Sequence, residues 1–340
     1  MPGNSHQHAG WDTAPPRHLR PLGAFAKESW NTLRYRGGAI ISIAVLVWIV
    51  FAVYATALIQ WSVDLPRVGS IYSRLLDTSV ASNPGALNQD VEAFVSGDWL
   101  KAGWWGLVVA LLCLAGGYLL SSAVATIAVT HQSYAWMAQR KRLHPLTSIR
   151  YGLRRALPGA SLLGTYLVAV ICVVVTLLTF GAALGIFLAD IFLTAEPAAQ
   201  IAAGLIGGLL GGVFGIVMAI WVYTRWSLSP YAVALSSNPW TGLRQSARLT
   251  KGHRLDVLIR LILVLVAVGF ALAAISLPVD LILGFLPLMS SALLPLVLVL
   301  YVRIIISALS PLLSAASFTT MYVDLGGDTS SSSDAFSPLG

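Results

Sequence analysis

The stretch Ala156–Ala189, ALPGASLLGTYLVAVICVVVTLLTFGAALGIFLA, decides the fold. It carries no charged side chain and exceeds the roughly 20 apolar residues that a membrane-crossing helix needs. A backbone in lipid must pair its own N–H and C=O groups, so a run of this kind reads as a helix. Gly37–Val63, Ala102–Gln139, Pro197–Thr224 and Leu261–Val279 are also uncharged, and Leu281–Val323 is interrupted only by Arg303. The whole chain agrees: its 340 residues are 57% hydrophobic and 10% charged, with 11 Trp, and the mean hydropathy is +0.78. Soluble domains run near 25% charged. A disordered chain, a nucleic-acid-binding domain and a soluble enzyme are excluded, and an all-α polytopic membrane helix bundle is expected.

The number of crossings turns on Leu281–Val323, which as one helix would be about 65 Å long, twice the hydrocarbon thickness. Either residues 281–289 form a short re-entrant or interfacial piece before one long helix, or two spans meet near Arg303. No Gly, Pro or Asn turn signal flanks Arg303, whereas Pro278 and Pro287 punctuate the earlier part. Six spans are therefore preferred to seven.

With six spans the cations fall on one side. Arg17, Arg20, Lys27, Arg34 and Arg36 precede the first span. Arg140, Lys141, Arg142, Arg150, Arg154 and Arg155 follow the second. Arg225, Arg244, Arg248, Lys251, Arg254 and Arg260 follow the fourth. The opposite side has only Arg67, Arg74 and Lys101, and it holds Asp64, Asp77, Asp90, Glu92, Asp98, Asp190, Glu196 and Asp280. The positive-inside rule then places both termini in the cytoplasm, in a plasma membrane of bacterial type. The net charge of +7 reports orientation here.

Residues 1–20 and 326–340 lack apolar periodicity and are expected to be disordered tails around a membrane domain over 21–325. Residues 62–101 form the one sizeable outside loop, expected to hold two short surface helices. Cys113 and Cys172 lie in apolar runs and read as small buried hydrophobes, not a disulfide.

The basic loops repeat. HPLTSIRYGLRRALPG from His144 and NPWTGLRQSARLTKG from Asn238 align at an offset of 94, pairing Pro145 with Pro239, Thr147 with Thr241, Arg150 with Arg244 and Arg154 with Arg248. RPLGAFAKESWNTLRYRGG, before the first span, has a related shape. Three units are expected, each an interfacial basic helix followed by a transmembrane hairpin. Arg150, Arg154, Arg244, Arg248 and Lys251 form a cytoplasmic collar suited to anionic lipid headgroups, at about 1 kcal/mol per cation.

Residues 226–254, WSLSPYAVALSSNPWTGLRQSARLTKGHR, resemble the signature of the membrane domain found attached to glycerophosphoryl diester phosphodiesterases. The matching residues are Leu228, Pro230, Asn238, Pro239, Leu243, Ser246, Leu249, Lys251 and Gly252, and Met321–Leu325 is similar to that family's ending. The chain departs from the pattern in having no acidic residue near Ser236–Ser237. The resemblance implies a six-span helical fold without catalysis, since no phosphodiesterase domain is attached.

No phosphate-binding loop, dinucleotide fingerprint, nucleophile elbow or metalloprotease motif is present, and neither a cofactor nor a metal site is expected. His6 and His8 form a lone pair in a tail. Gly204, Gly208 and Gly212 recur every four residues, as do Gly207, Gly211 and Gly215, and such stripes let helices approach closely. Gly181 and Gly185 are placed to face them. Arg303, Ser307, Ser310, Ser314 and Ser317 share one face of the last helix, forming either a packing seam or a groove for an anionic headgroup or solute. The expectation is a non-catalytic integral membrane protein, a scaffold or lipid-associated accessory factor. The alternative is a transporter or lipid-translocating protein that uses the Arg303 face. Membrane lipids and a membrane-protein partner suit this surface, and nucleic acid does not.

Overall fold

The computed structural model describes residues 19–64, 66–68, 92, 95–97, 99–193, 197–236, 238–289 and 293–326. Among them the fold is all-α, and the one strand-like feature is an isolated antiparallel bridge between Val63 and Leu100. In chain order the helices are α1 (Leu22–Ser62), α2 (Gly103–Gln139), α3 (Pro145–Arg154), α4 (Ala156–Leu193), α5 (Pro197–Trp226), α6 (Ser229–Ser236), α7 (Pro239–Leu249), α8 (Arg254–Met289) and α9 (Leu293–Asp324).

Helices α1, α2, α4, α5 and α8 each contain a stretch long and apolar enough to cross a membrane. Their outer faces suit lipid: Leu112, Leu209, Phe270 and Leu277 are each about two-thirds exposed or more. Polar side chains on these helices turn back on their own backbone. Thr130, Thr179 and Thr224 each donate to the carbonyl four residues earlier. The chain is a multi-pass membrane protein built as an all-α helical bundle.

The structure departs from the sequence expectation in two places. The basic segment before the first span is not a separate interfacial helix but the first turns of α1, which runs unbroken from Leu22. Gly37 and Gly38 lower helix propensity, yet both keep helical backbone angles, and no proline intervenes. The other two basic helices are separate, α3 ending at the turn residue Arg155 and α7 at a turn in which Gly252 takes φ +88°. Residues 281–289 are not a free-standing piece either. They extend α8 through Pro278 and Pro287, and α9 then runs unbroken through Arg303. Most of the outer loop and both tails lie outside the described residues.

The chain divides into two compact units. The first comprises Met1–Arg34, Ala169–Ile262 and Ala316–Gly340, and the second Tyr35–Val168 and Leu263–Ala315. In the first unit α4 and α5 meet backbone to backbone. A methyl group on Gly181 would strike the Gly207 carbonyl oxygen and come within 2.8 Å of the Gly211 Cα, and one on Gly211 would strike the Leu177 carbonyl. In the second unit α1 and α2 meet through aromatic rings, with Trp48 and Phe51 of α1 lying 5.3 and 6.1 Å from Tyr118 of α2.

Candidate functional site

Each compact unit has a basic end built on one of the repeated short helices. In the second unit His144 caps α3, its Nδ1 accepting from the Leu146 N–H at 3.3 Å, and Pro145 occupies the first turn. The inner face of α3 is small. Ser148 Oγ shares a hydrogen bond with His131 Nδ1 at 3.1 Å, and a methyl on Gly152 would stand 2.6 Å from the Val124 carbonyl oxygen. His131 stacks on Tyr151 at 4.1 Å, and the Arg155 guanidinium lies 4.7 Å from the other ring's centroid. Burial raises the Tyr151 hydroxyl pKa, and Arg155 opposes that rise. Arg150 and Arg154 remain exposed on the outer face.

The first unit repeats this plan with the small residues exchanged. Asn238 caps α7, its Oδ1 accepting from the Trp240 N–H at 3.1 Å, and Pro239 follows. Ser246 Oγ accepts from the Leu228 N–H at 3.2 Å and donates to the Arg225 carbonyl at 2.9 Å, closing the end of α5. A methyl on Gly242 would strike Val233 of α6. At the repeat offset Ser148 corresponds to Gly242 and Gly152 to Ser246, so both short helices dock by a small pair four residues apart. Arg244, Arg248 and Lys251 point outward and are exposed.

Two arginines are buried at these ends. Arg260, 4% exposed, donates from Nη2 to the Arg20 carbonyl at 2.5 Å and lies over the Phe25 ring at 5.1 Å. Carboxylates stand near it. Asp324 pairs with Arg20 at 2.9 Å, and Asp324 and Asp256 both attract Arg260. Arg36, 6% exposed, donates from Nη2 to the Gln132 side-chain carbonyl and to the Leu143 backbone carbonyl, the latter at 2.7 Å. The Gln132 amide also donates to Leu143, at 3.1 Å.

Of the expected packing glycines, Gly204 would meet the Ile186 side chain at 2.9 Å, Gly208 the Ala182 methyl at 3.5 Å and Gly212 the Leu178 side chain at 3.8 Å. The tighter seam is the neighbouring stripe, where Gly207 and Gly211 lie against Gly181 and Gly185. The Arg303 face is partly visible. Ser314 and Ser317 are buried, while the side chains of Arg303, Ser307 and Ser310 lie outside the described part. Cys113 and Cys172 form no disulfide, and they are not buried as expected but exposed, on the outward faces of their apolar helices. Among the described residues no three His, Cys, Asp or Glu side chains gather as a metal site.

Arg36 and Arg260 escape sequence reading because they count among the loop cations. A signal exists nonetheless: Phe25, Ser29, Thr32 and Arg36 follow the 4, 3, 4 spacing of one helix face, and all four are buried. Gln132 in an otherwise apolar helix is the second.

The fold and its basic ends define a multi-pass all-α membrane protein with two repeated, docked basic helices. No family model, curated protein or solved structure matches the chain.

Proposed function

We propose that the chain is a non-catalytic, six-span plasma-membrane protein of bacterial type that associates with anionic lipid as an accessory factor, with both termini in the cytoplasm. In this reading α9 is the sixth span, and the resemblance to the phosphodiesterase-linked membrane domain extends over residues 20–325. One observation carries it. α3 and α7 are each capped and docked through a small inner face, which leaves Arg150 and Arg154 exposed on α3, Arg244 and Arg248 exposed on α7, and Lys251 exposed in the turn after it. A rigid helix end that displays cations at the headgroup level gathers anionic lipid, at about 1 kcal/mol per cation near the surface and less at high salt.

The test is purification of the full chain in nanodiscs of mixed phosphatidylcholine and phosphatidylglycerol. Phosphatidylglycerol is expected to be enriched around the protein, and the enrichment should fall when all five cations are replaced by Gln. Equal retention of the two lipids contradicts the reading. So does turnover of a lipid that depends on one residue.

A further inference from the structure

Among the described residues the second unit buries the Arg36 guanidinium without an ion pair to a carboxylate. From Trp99 to Ala189 the sequence has no Asp or Glu, and the acid nearest to Arg36 along α1 is Glu28, eight residues or about 12 Å back along the helix and outside this unit. A buried charge needs a counter-charge or a full set of hydrogen bonds. Arg36 has neither in full. Its Nη2 is engaged by Gln132 and Leu143, while its Nε is buried with no hydrogen-bond partner.

The surroundings add donors and positive charge. Gln132, Ser133, Trp136 and Arg140 fall within a 100° arc of α2 by helical geometry. Trp136 Nε1 and Ser133 Oγ are buried atoms without a partner. The Trp136 ring lies 5.3 Å from Tyr35, the residue before Arg36, and the Arg140 guanidinium is 5.5 Å from the same indole. Repulsion from Arg142 also reaches Arg36. The carboxyl end of α2 contributes about half a negative charge, small against Arg36, Arg140, Lys141 and Arg142 together.

Arg140 itself holds φ +51°, the only non-glycine residue in the left-handed region among those described. Its N–H and that of Lys141 close α2 onto Trp136 and Ala135 at 3.0 and 3.2 Å, a cap at which glycine is the usual residue. An arginine here adds a guanidinium at the expense of backbone comfort.

We propose that Arg36, Trp136 and Arg140, with Ser133 beside them, form a binding site for a phosphate group at the basic end of the second unit. The phosphate belongs either to an anionic lipid headgroup or to a free phosphate ion. Its oxygens accept from Arg36 Nε, the Trp136 indole N–H and the Arg140 guanidinium, and its charge offsets the buried arginine. The lipid form deepens the accessory role proposed above, at one defined position.

The test uses the full chain in nanodiscs of phosphatidylcholine alone. In one arm they are doped with dioleoyl phosphatidic acid, read by native mass spectrometry. In the other, inorganic phosphate is titrated and followed by the indole N–H resonances of the 15N-labelled protein. The variants are Trp136→Phe, Arg140→Gly and Arg36→Gln. Each is expected to weaken the tightest phosphate-bearing species by about tenfold, the value of one charge-assisted hydrogen bond. Arg140→Gly suits the fold better than the parent residue, so its loss of binding cannot be blamed on misfolding. Replacing the exposed Arg150 and Arg154 should leave that species in place. Dependence on the three residues in the lipid arm identifies a headgroup. Dependence in the phosphate arm alone keeps the site but removes the lipid from it. If the chain holds phosphatidic acid and the variants bind as the parent does, the site is refuted while the accessory role survives. If neither probe binds the parent chain, the site is refuted outright.

Discussion

Arg260 and Arg36 are nearly equally buried, yet in the first unit Asp324 and Asp256 attract Arg260, while in the second, among the described residues, Arg36 donates to carbonyls alone. The first arrangement has its own counter-charges: Arg20 near the start of the chain and Asp324 at the end of α9 are joined, and Arg260, whose Nε and Nη1 make no hydrogen bond, binds the Arg20 carbonyl and is attracted by Asp324. The second stays electrostatically open. One basic end is a structural clasp, and the other is a place where an outside anion completes the balance. A buried cation is informative about ligands only after the carboxylates within reach have been accounted for.

A second contrast lies along α4, which has Gly159 and Gly164 in the second unit and Gly181 and Gly185 in the first. Gly181→Ala in the first unit places a methyl against backbone that cannot move aside, and should cost about 3 kcal/mol. Gly164→Ala in the second unit meets only the Leu119 side chain at 3.8 Å, and should stabilise by about 0.5–1 kcal/mol through helix propensity. Thermal unfolding of the two variants in detergent separates them, and equal effects would break the distinction. Removing the clasp comes next. Asp324→Ala should cost about 2 kcal/mol, below the value of a fully buried pair because Arg20 is half exposed. Protection of the first turns of α1 from hydrogen exchange should fall with it.

The two docked helices differ by less. Ser246→Ala loses a bond to Arg225 and leaves the buried Leu228 N–H unpaired, at about 1.5 kcal/mol. Ser148→Ala loses one neutral bond to His131, at about 0.5–1 kcal/mol. A melting comparison in which Ser148→Ala proved the costlier would show that the exchange of small residues between the repeats is not equivalent. The smallest effect is expected of Arg140→Gly, a gain of a few tenths of a kcal/mol from relieving the left-handed backbone. A loss of stability would mean that the arginine side chain supports the fold.

Much of this was legible in residues alone. Uncharged runs such as Ala156–Ala189 admit only helices in lipid, so the long elements followed from hydropathy. Prolines 145 and 239 after His144 and Asn238 announced the short basic helices. The break between α8 and α9 was less legible, because the residues about Pro278 and Pro287 mix helix-breaking and apolar signals while neighbouring turns re-satisfy the freed carbonyls. The basic ends were the least legible. A sequence shows that Arg36 and Arg260 are cations near span ends, but burial depends on partners 96 residues away in the case of Gln132. The glycine stripes posed a choice of face, and the backbone approach of α4 and α5 settled it on Gly207 and Gly211.

The proposal that both basic ends face the cytoplasm is tested most directly by single-cysteine labelling with an impermeant maleimide in sealed vesicles, after Cys113 and Cys172 are replaced by Ala. Thr147→Cys on α3 and Lys251→Cys beyond α7 should label from the same side, with Val95→Cys labelling from the other. Labelling of positions 147 and 251 from opposite sides would contradict the account.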